Sequence, residues 1–348
     1  MKIAFVVNGI HTEWPGYTTT HLAMAATRMG HEAWYVGIGD FAYNSDEHIH
    51  AHATRVRQTG HRLPRAYLQD LKGADAIHDY LDLSEFDVIM LRNDPAEDVI
   101  SRPWARLAGI NFARFAAHNG VLVVNDPDGL CVAVNKLYLQ RFPAQVRPQA
   151  LISRKRDQIK DFCRQMGGTL VLKPLYGSGG RNVFLVRPED LPNINQMIEV
   201  VSRDGYIIAQ EYLPKAMEGD IRLFLLNGKP LQHKGHYAAL RRVRHGEDIR
   251  SNMTIGASSA PAVVTDEILE LAEAVRPQLQ QDGMFFVGLD IIGDKLTEIN
   301  VFSPGGLESA EAFTGIKFSQ LVIEDLERKI AQRTEAPQPL PNRKMAVL

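Results

Sequence analysis

The chain has 348 residues, 39 basic against 41 acidic side chains and a formal charge of −2, with 45% hydrophobic and 23% charged residues. Such average usage at this length gives two or three domains with ample core, which excludes wholesale disorder, and the near-neutral balance argues against coating nucleic acid or an anionic membrane. The two cysteines, Cys131 and Cys163, cannot frame a disulfide scaffold and suit a reducing compartment.

Residues 3–7 form an apolar run that stops at Asn8 and Gly9. That run is too short and wrongly flanked for a signal peptide, and no stretch approaches the ~18 uninterrupted apolar residues of a membrane span. A soluble cytoplasmic protein is expected. The run itself reads as a buried parallel strand. Thr18, Thr19 and Thr20 then offer N-caps for an apolar-faced helix through Met29, ended by Gly30. Residues 33–36 make another short β-type run. In the polar stretch beyond it, His48, His50 and His52 alternate as in a metal-binding tract, but no fixed acid or cysteine accompanies them. A mobile polar connection is the plainer reading. Residues 87–91 and 121–124 are strand-like, with a helix around 103–118 between them. Strand–helix alternation implies a parallel sheet covered by helices, with active groups beyond the strands' carboxyl ends. Asn93-Asp94-Pro95 and Asn125-Asp126-Pro127 follow two of those strands.

The middle third changes style. Short strands are expected at 150–153, 169–172, 183–186 and 207–210, interrupted by helices around 157–166 and 193–201. Beyond Gly219 the pattern turns hairpin-rich. Strands 222–226 and 230–236 flank Asn227-Gly228, and strands 285–292 and 295–301 flank Gly293-Asp294. Helices around 266–281 and 318–332 follow. The stretch 334–348, with Pro337, Pro339 and Pro341, has no regular period and is expected to fray.

The most informative segment is 286–300. Folded as a hairpin about Gly293–Lys295, it sets Asp290 roughly opposite Glu298, and strand alternation puts Asn300 on the face of Glu298. Like charges facing each other in a sheet want a cation, and two carboxylates with an amide oxygen are hard ligands suited to Mg²⁺. A solvated hairpin with incidental acids is the alternative. In segment 171–183, a strand ends in Lys173 and opens into a loop containing Gly177, Ser178, Gly179 and Gly180. Glycine lets backbone N–H groups surround phosphate oxygens, although neither the P-loop nor the dinucleotide-binding spacing is present. An ordinary glycine-rich turn is the alternative here.

Two further segments suit a nucleotide. Lys136 follows a turn at Asn135 and is placed to project toward phosphate. Gln210, Glu211, Tyr212 and Leu213 combine an apolar strand end with backbone donors and acceptors, as an adenine-contacting hinge would. Arg222 follows Gly219-Asp220, and Arg241, Arg242, Arg244 and Arg250 cluster in one polar stretch. Without aromatic platforms or a wider basic field, these arginines fit recognition of a small anion better than nucleic acid. Ser178 and Ser303 lack a nucleophile-elbow context.

In order, these segments resemble the bacterial glutathione synthetases of the ATP-grasp superfamily. The likeness rests on 286–300, with support from 87–95, 122–125, 135–137, the Lys173 loop and the run from Tyr212 to Asp220. It implies an ATP-grasp fold, both α/β and α+β. An N-terminal parallel-sheet, Rossmann-like domain (1–125) would precede a lobe with the glycine-rich lid loop (126–212). A second lobe with the metal and substrate site (213–333) would close on ATP, and a flexible tail (334–348) would follow. By the same likeness Asp290, Glu298 and Asn300 hold Mg²⁺, or Mn²⁺. Lys136, Lys173 and the loop 177–180 hold phosphates, with Gln210 to Leu213 at the adenine. Asp220, Arg222 and Arg242 lie near the nucleotide and the reacting carboxylate. Arg242, Arg250, Asn252, Arg92, Ser303, Gly305 and Gly306 meet the substrates. The implied reaction joins γ-glutamylcysteine to glycine at the expense of ATP, by way of an acyl phosphate. Small-molecule partners, a homo-oligomer, and neither nucleic acid nor membrane are expected. Two departures bear on the acceptor and the peptide: 302–307 reads Phe-Ser-Pro-Gly-Gly-Leu, and the arginine segment is long and basic. A ligase with another acceptor or peptide, and a noncatalytic ATP-binding protein, are the other readings.

Overall fold

The computed structural model describes residues 1–98, 101–177, 179–243, 258–335 and 338–348. The N-terminal sheet comprises β1 (Lys2–Val7), β2 (Glu32–Tyr43), β3 (Ile49–Arg55), β4 (Ile77–Asp82), β5 (Val88–Leu91) and β6 (Leu122–Val124), in the order β4-β3-β2-β1-β5-β6. β1 and β5 are apolar on both faces and sit centrally, covered by α1 (Thr18–Arg28), α2 (Pro64–Leu71) and α4 (Ala108–His118), with the short α3 (Pro95–Asp98) after β5. Only β2, β1, β5 and β6 are parallel; β3 and β4 add an antiparallel hairpin to one edge.

That hairpin corrects the reading of the histidine tract. Ile49, Ala51 and Ala53 face the core, so 49–55 is a strand rather than a connection. His50 and His52 pack on the Tyr80 ring, and His48 Nδ1 lies 2.7 Å from Asp82 Oδ2, an acid partner that sequence distance concealed. Among the described residues no group of three or more His, Cys, Asp or Glu side chains is placed to hold a metal.

After α5 (Pro127–Val132), a four-stranded antiparallel sheet of β7 (Ala150–Ser153), β8 (Leu170–Pro174), β9 (Phe184–Val186) and β10 (Ile207–Glu211) runs β7-β10-β8-β9. Its helices are α6 (Arg156–Gln165) and α7 (Ile194–Ser202). Ile159, Leu172, Ile198 and Ala209 close a core belonging to this unit alone, whereas apolar residues of the N-terminal sheet and of the chain beyond 220 share clusters. The middle unit is therefore the part best built to move against the rest.

The third sheet contains β11 (Asp220–Leu226), the two-residue β12 (Lys229–Pro230), β15 (Ala239–Val243), β16 (Ser258–Pro261), β17 (Phe286–Ile292) and β18 (Lys295–Asn300). The strand expected at 230–236 is broken: β13 (Gln232–His233) and β14 (His236–Tyr237) pair only with each other, around Lys234 and Gly235 at positive φ. Helices α8 (Asp266–Gln281), α9 (Leu307–Thr314) and α10 (Phe318–Glu335) pack the unit. No described helix is long and apolar enough to cross a membrane.

The C-terminal residues 338–348 pack against the body rather than fray. They include α11 (Asn342–Met345), with Met345 and Ala346 buried in the core. Asn342 accepts from Val123 N–H at 2.8 Å and donates to Val123 O at 2.9 Å, so its amide completes the open edge of β6 as a strand would. Buried Lys329 donates to Leu348 O at 2.7 Å. The Val123 partner of Asn342 lies 219 residues away in sequence, beyond the reach of a local period. Asn342→Ala is expected to cost about 1–3 kcal/mol, read as a lower urea midpoint at constant slope. An unchanged midpoint would mean that the amide seals nothing.

Candidate active site

The hairpin β17–β18 turns at Gly293 (φ +61°) and Asp294. Counting back from its tip, Ile292 pairs with Lys295 and Ile291 with Leu296, which would set Thr297 opposite Asp290. A bulge intervenes: Thr297 drops out of register, its hydroxyl donating to Asp290 O at 3.0 Å, and Glu298 becomes the partner of Asp290. Asn300 then faces Gly288 and donates its amide N–H to Gly288 O at 3.4 Å. The acid pair is brought together as the sequence led one to expect, but by the bulge.

Each acid is held by cations from elsewhere. Arg222, the cross-strand neighbour of Asp290 on β11, grips it with two N–H groups at 2.8 and 2.7 Å. Arg242 on β15 adds a third at 2.6 Å and also holds its own cross-strand partner Asp220 at 3.0 and 2.5 Å. Burial works to raise the Asp290 pKa, but the two guanidinium groups outweigh it and hold the carboxyl at about 2. Glu298 pairs with Lys136 at 3.0 Å. Burial again opposes its charge, and Lys136 and Lys173 together keep its pKa below the ordinary value.

Lys136 is aimed by Asn135, whose side chain accepts from Leu137 N–H and starts a tight helical turn. Its ammonium also donates to Gly177 O, so one lysine ties the glycine loop to the hairpin acid. Lys173 comes from the end of β8, where burial lowers its pKa to about 8. In the loop beyond it, Gly177, Gly179 and Gly180 all have positive φ (124°, 66° and 73°), a conformation open to glycine and costly for other residues. Tyr176 stacks under Arg106 with the guanidinium 4.3 Å from the ring, and Arg181 lies 3.9 Å from Glu97; both contacts draw the loop onto the N-terminal unit.

Lys136, Lys173, Gly177, Gln210 and Glu298 line one cleft with the apolar Leu139, Leu175, Ile208 and Ile299. Of the four expected hinge residues only Gln210 lines it; Glu211 spends its carboxylate on Gln149 N–H at 3.0 Å. The wall also holds polar residues that were not among the expected site residues. Thr297 is one, and Asp94, whose pKa burial raises to about 6, is another. The turn after a parallel strand was the available signal for Asp94.

The loop at 302–306 is pinned from two sides. Arg92 donates to Phe302 O (3.4 Å) and Pro304 O (3.2 Å), and Arg222 donates to Gly305 O (3.2 Å). Arg92 also donates to the Thr19 hydroxyl at 3.2 Å, while Ser303 is exposed and Gly306 takes a left-handed φ of 99° at the start of α9. Asn125, unremarked as a site residue, anchors both hairpin ends: its amide exchanges hydrogen bonds with Phe286 (2.8 and 3.1 Å) and donates to Val301 O at 2.5 Å. Ser178, Arg244, Arg250 and Asn252 lie outside the described residues.

Near Arg92, buried Glu13 has its pKa raised by burial from the ordinary 4.5 to about 7, Arg92 and Lys72 offsetting only part of the cost. The folded chain therefore keeps a proton that the unfolded chain releases, and stability falls as pH rises through the window from 4.5 to about 7. Glu13→Gln is expected to flatten that fall, gaining about 1–3 kcal/mol at pH ~8 and almost nothing at pH ~4.5. Equal denaturation midpoints for both proteins at the two pH values would contradict it.

The donor set suits a divalent cation. Two facing carboxylates and an amide oxygen are hard oxygen ligands, and both acids already attract positive charge. The lysines and the loop's glycines are the parts a polyphosphate would meet.

Comparison with known proteins agrees with this geometry. Family models for the prokaryotic glutathione synthetase N-terminal domain and ATP-grasp domain match residues 1–131 and 135–315. A glutathione synthetase of Synechocystis is 32% identical over 337 residues, covering 94% of this chain and all of the relative. One from Gloeobacter violaceus is 34% identical over 329 residues, covering 93% and 96%. Among solved structures, a D-cycloserine synthetase superposes with a TM-score of 0.63 at 13% identity over 93% of this chain and 99% of that one. The ATP-grasp ligase PsnB gives 0.57 at 17% over 93% and 98%, and the D-alanine–D-alanine ligase of Coxiella burnetii 0.58 at 13% over 96% of each. At such identities the solved structures speak for the fold alone.

Proposed function

The chain belongs to the prokaryotic glutathione synthetase family of ATP-dependent ATP-grasp ligases, which use a divalent metal, and from that premise we propose that it joins γ-glutamylcysteine to glycine through an acyl phosphate. The observation that carries the reading is the pair Asp290 and Glu298, facing each other across the bulged hairpin with Lys136, Lys173 and the glycine loop beside them.

A carboxylate resists amine attack because its oxygen is a poor leaving group. In the proposed first step, that oxygen attacks the γ-phosphorus of ATP, the bond to the β-bridging oxygen breaks, and ADP leaves. The glycine amine then attacks the acyl carbon, and inorganic phosphate departs with one of the original carboxylate oxygens. The first step brings an anion against an anion, so positive charge must offset the repulsion and hold the line of transfer. Lys136, Lys173 and the N–H groups of the loop at 177–180 serve the phosphates, with Gln210 to Leu213 at the base. Arg222, Arg242 and Asp220 serve the reacting carboxylate, and Arg250, Asn252, Arg92, Ser303, Gly305 and Gly306 are the residues proposed to meet the peptide and acceptor. Asp290, Glu298 and Asn300 would hold Mg²⁺, with Mn²⁺ as a substitute, and the ion would add charge stabilisation to the phosphates. The loop drawn over the cleft by Arg106 would shield the acyl phosphate from water. No side-chain nucleophile is needed.

Glycine as acceptor is tested by a screen of amines with γ-glutamylcysteine, following ADP and product mass. Glycine should give the highest kcat/KM. Preference for another amine would favour the second reading, a ligase with a different acceptor, which the Phe-Ser-Pro-Gly-Gly-Leu sequence at 302–307 motivates. A cytoplasmic homo-oligomer is the proposed setting, checked by sedimentation.

A further inference from the structure

Asp290 is counted as a ligand of the divalent ion, yet its Oδ2 accepts from Arg222 and from Arg242 at 2.7 and 2.6 Å, its Oδ1 accepts from Arg222 at 2.8 Å, and its side chain is 3% exposed. Both acceptor sites of Oδ2 are taken by charge-assisted bonds, so an ion that binds this oxygen must displace a partner. We infer that Asp290 exchanges partners: an ion seated beside Glu298 takes Oδ2 from Arg242, and the released guanidinium becomes a receptor for the anionic end of the acyl substrate. The inference rests on the metal reading of the hairpin given above.

Three features make Arg242 the partner that leaves. It is bonded twice to Asp220, so it stays charge-paired after giving up Asp290. Arg222 grips Asp290 in a two-point fork and has its remaining arm on Gly305 O, so moving it would also shift the loop at 302–306. Finally, Arg242 is the next-to-last residue of β15, one strand in from the edge strand β16, while Arg222 lies on β11, two strands in from that edge.

The consequence is a linkage. If the ion and the substrate anion compete for opposite halves of one Asp–Arg contact, each must tighten the other by the same factor. Ion and nucleotide arriving first would raise affinity for the acyl substrate, and a site without the ion would keep its arginine engaged.

The test uses the full-length protein with a β,γ-imido analogue of ATP, so that no turnover occurs, and reads bound Mn²⁺ by water-proton relaxation. γ-Glutamylcysteine without glycine is expected to tighten Mn²⁺ about 5- to 50-fold. Asp220→Asn removes the second anchor of Arg242, which then leans on Asp290, and should weaken Mn²⁺ several-fold. The double variant Asp220→Asn/Arg242→Gln keeps both sites hydrogen-bonding and neutral, and Arg222 keeps Asp290 paired. It should bind Mn²⁺ more tightly than the parent, and the peptide effect should shrink to less than about twofold. Parental Mn²⁺ affinity and parental coupling in that variant, with a parental near-ultraviolet circular dichroism spectrum, would overturn the exchange. Glu298→Gln serves to separate the two readings: undiminished Mn²⁺ binding in it would sink the metal assignment itself.

Discussion

Glu298→Gln is expected to remove metal-dependent turnover while leaving the fold intact, with kcat lower by about 10²–10³ or more, as when one group stabilising transition-state charge is lost. The substitution is nearly isosteric. It leaves Lys136 with Gly177 O as a partner, and the bulge at Thr297 depends on a hydroxyl and backbone rather than on the carboxylate. About a third of the Glu298 side chain is exposed, so the amide pays little for burial. A parental urea midpoint together with lost ADP formation is the expected pair of results. Activity within about tenfold of the parent would take Glu298 out of the site.

Asp290→Ala should behave differently. Its carboxylate balances two buried guanidinium groups, Arg222 and Arg242, and Asp220 also pairs with Arg242. Removing it strands positive charge in the sheet, a change expected to cost about 3–5 kcal/mol besides abolishing activity. Thermal unfolding and activity are read on the same preparation. A stable but inactive Asp290→Ala would mean that water reaches the arginines and that the site is more open than the hydrogen bonds imply. The contrast between the two acids follows from their partners: Glu298 faces the cleft and flexible lysines, Asp290 faces the sheet and rigid forks.

The hairpin at 286–300 was legible because its turn, its alternation and its acids all lie within fifteen consecutive residues. Local arithmetic also located Lys173 and the glycines whose positive φ the loop requires. What sequence could not display was the pairing of β11 with both β15 and β17, which links Asp220, Arg242, Asp290 and Arg222 into one chain of ion pairs. Strand partners separated by tens of residues leave no periodic trace. The grip of Arg92 on the loop at 302–306 was hidden for a similar reason, since the backbone it holds comes from 210 residues further on. The proline-rich C-terminal stretch misled because prolines report only local conformation, whereas Asn342 and Met345 earn their order from β6 and α10. In the histidine tract, polarity hid a strand whose other face, Ile49, Ala51 and Ala53, was in plain alternation.

Activation of the carboxylate by phosphorylation, between the hairpin acids, the lysines and the loop, can be followed with ¹⁸O placed in the C-terminal carboxylate of γ-glutamylcysteine. One labelled oxygen is expected in the inorganic phosphate for each peptide bond formed. Unlabelled phosphate, with peptide product still accumulating, would contradict that activation.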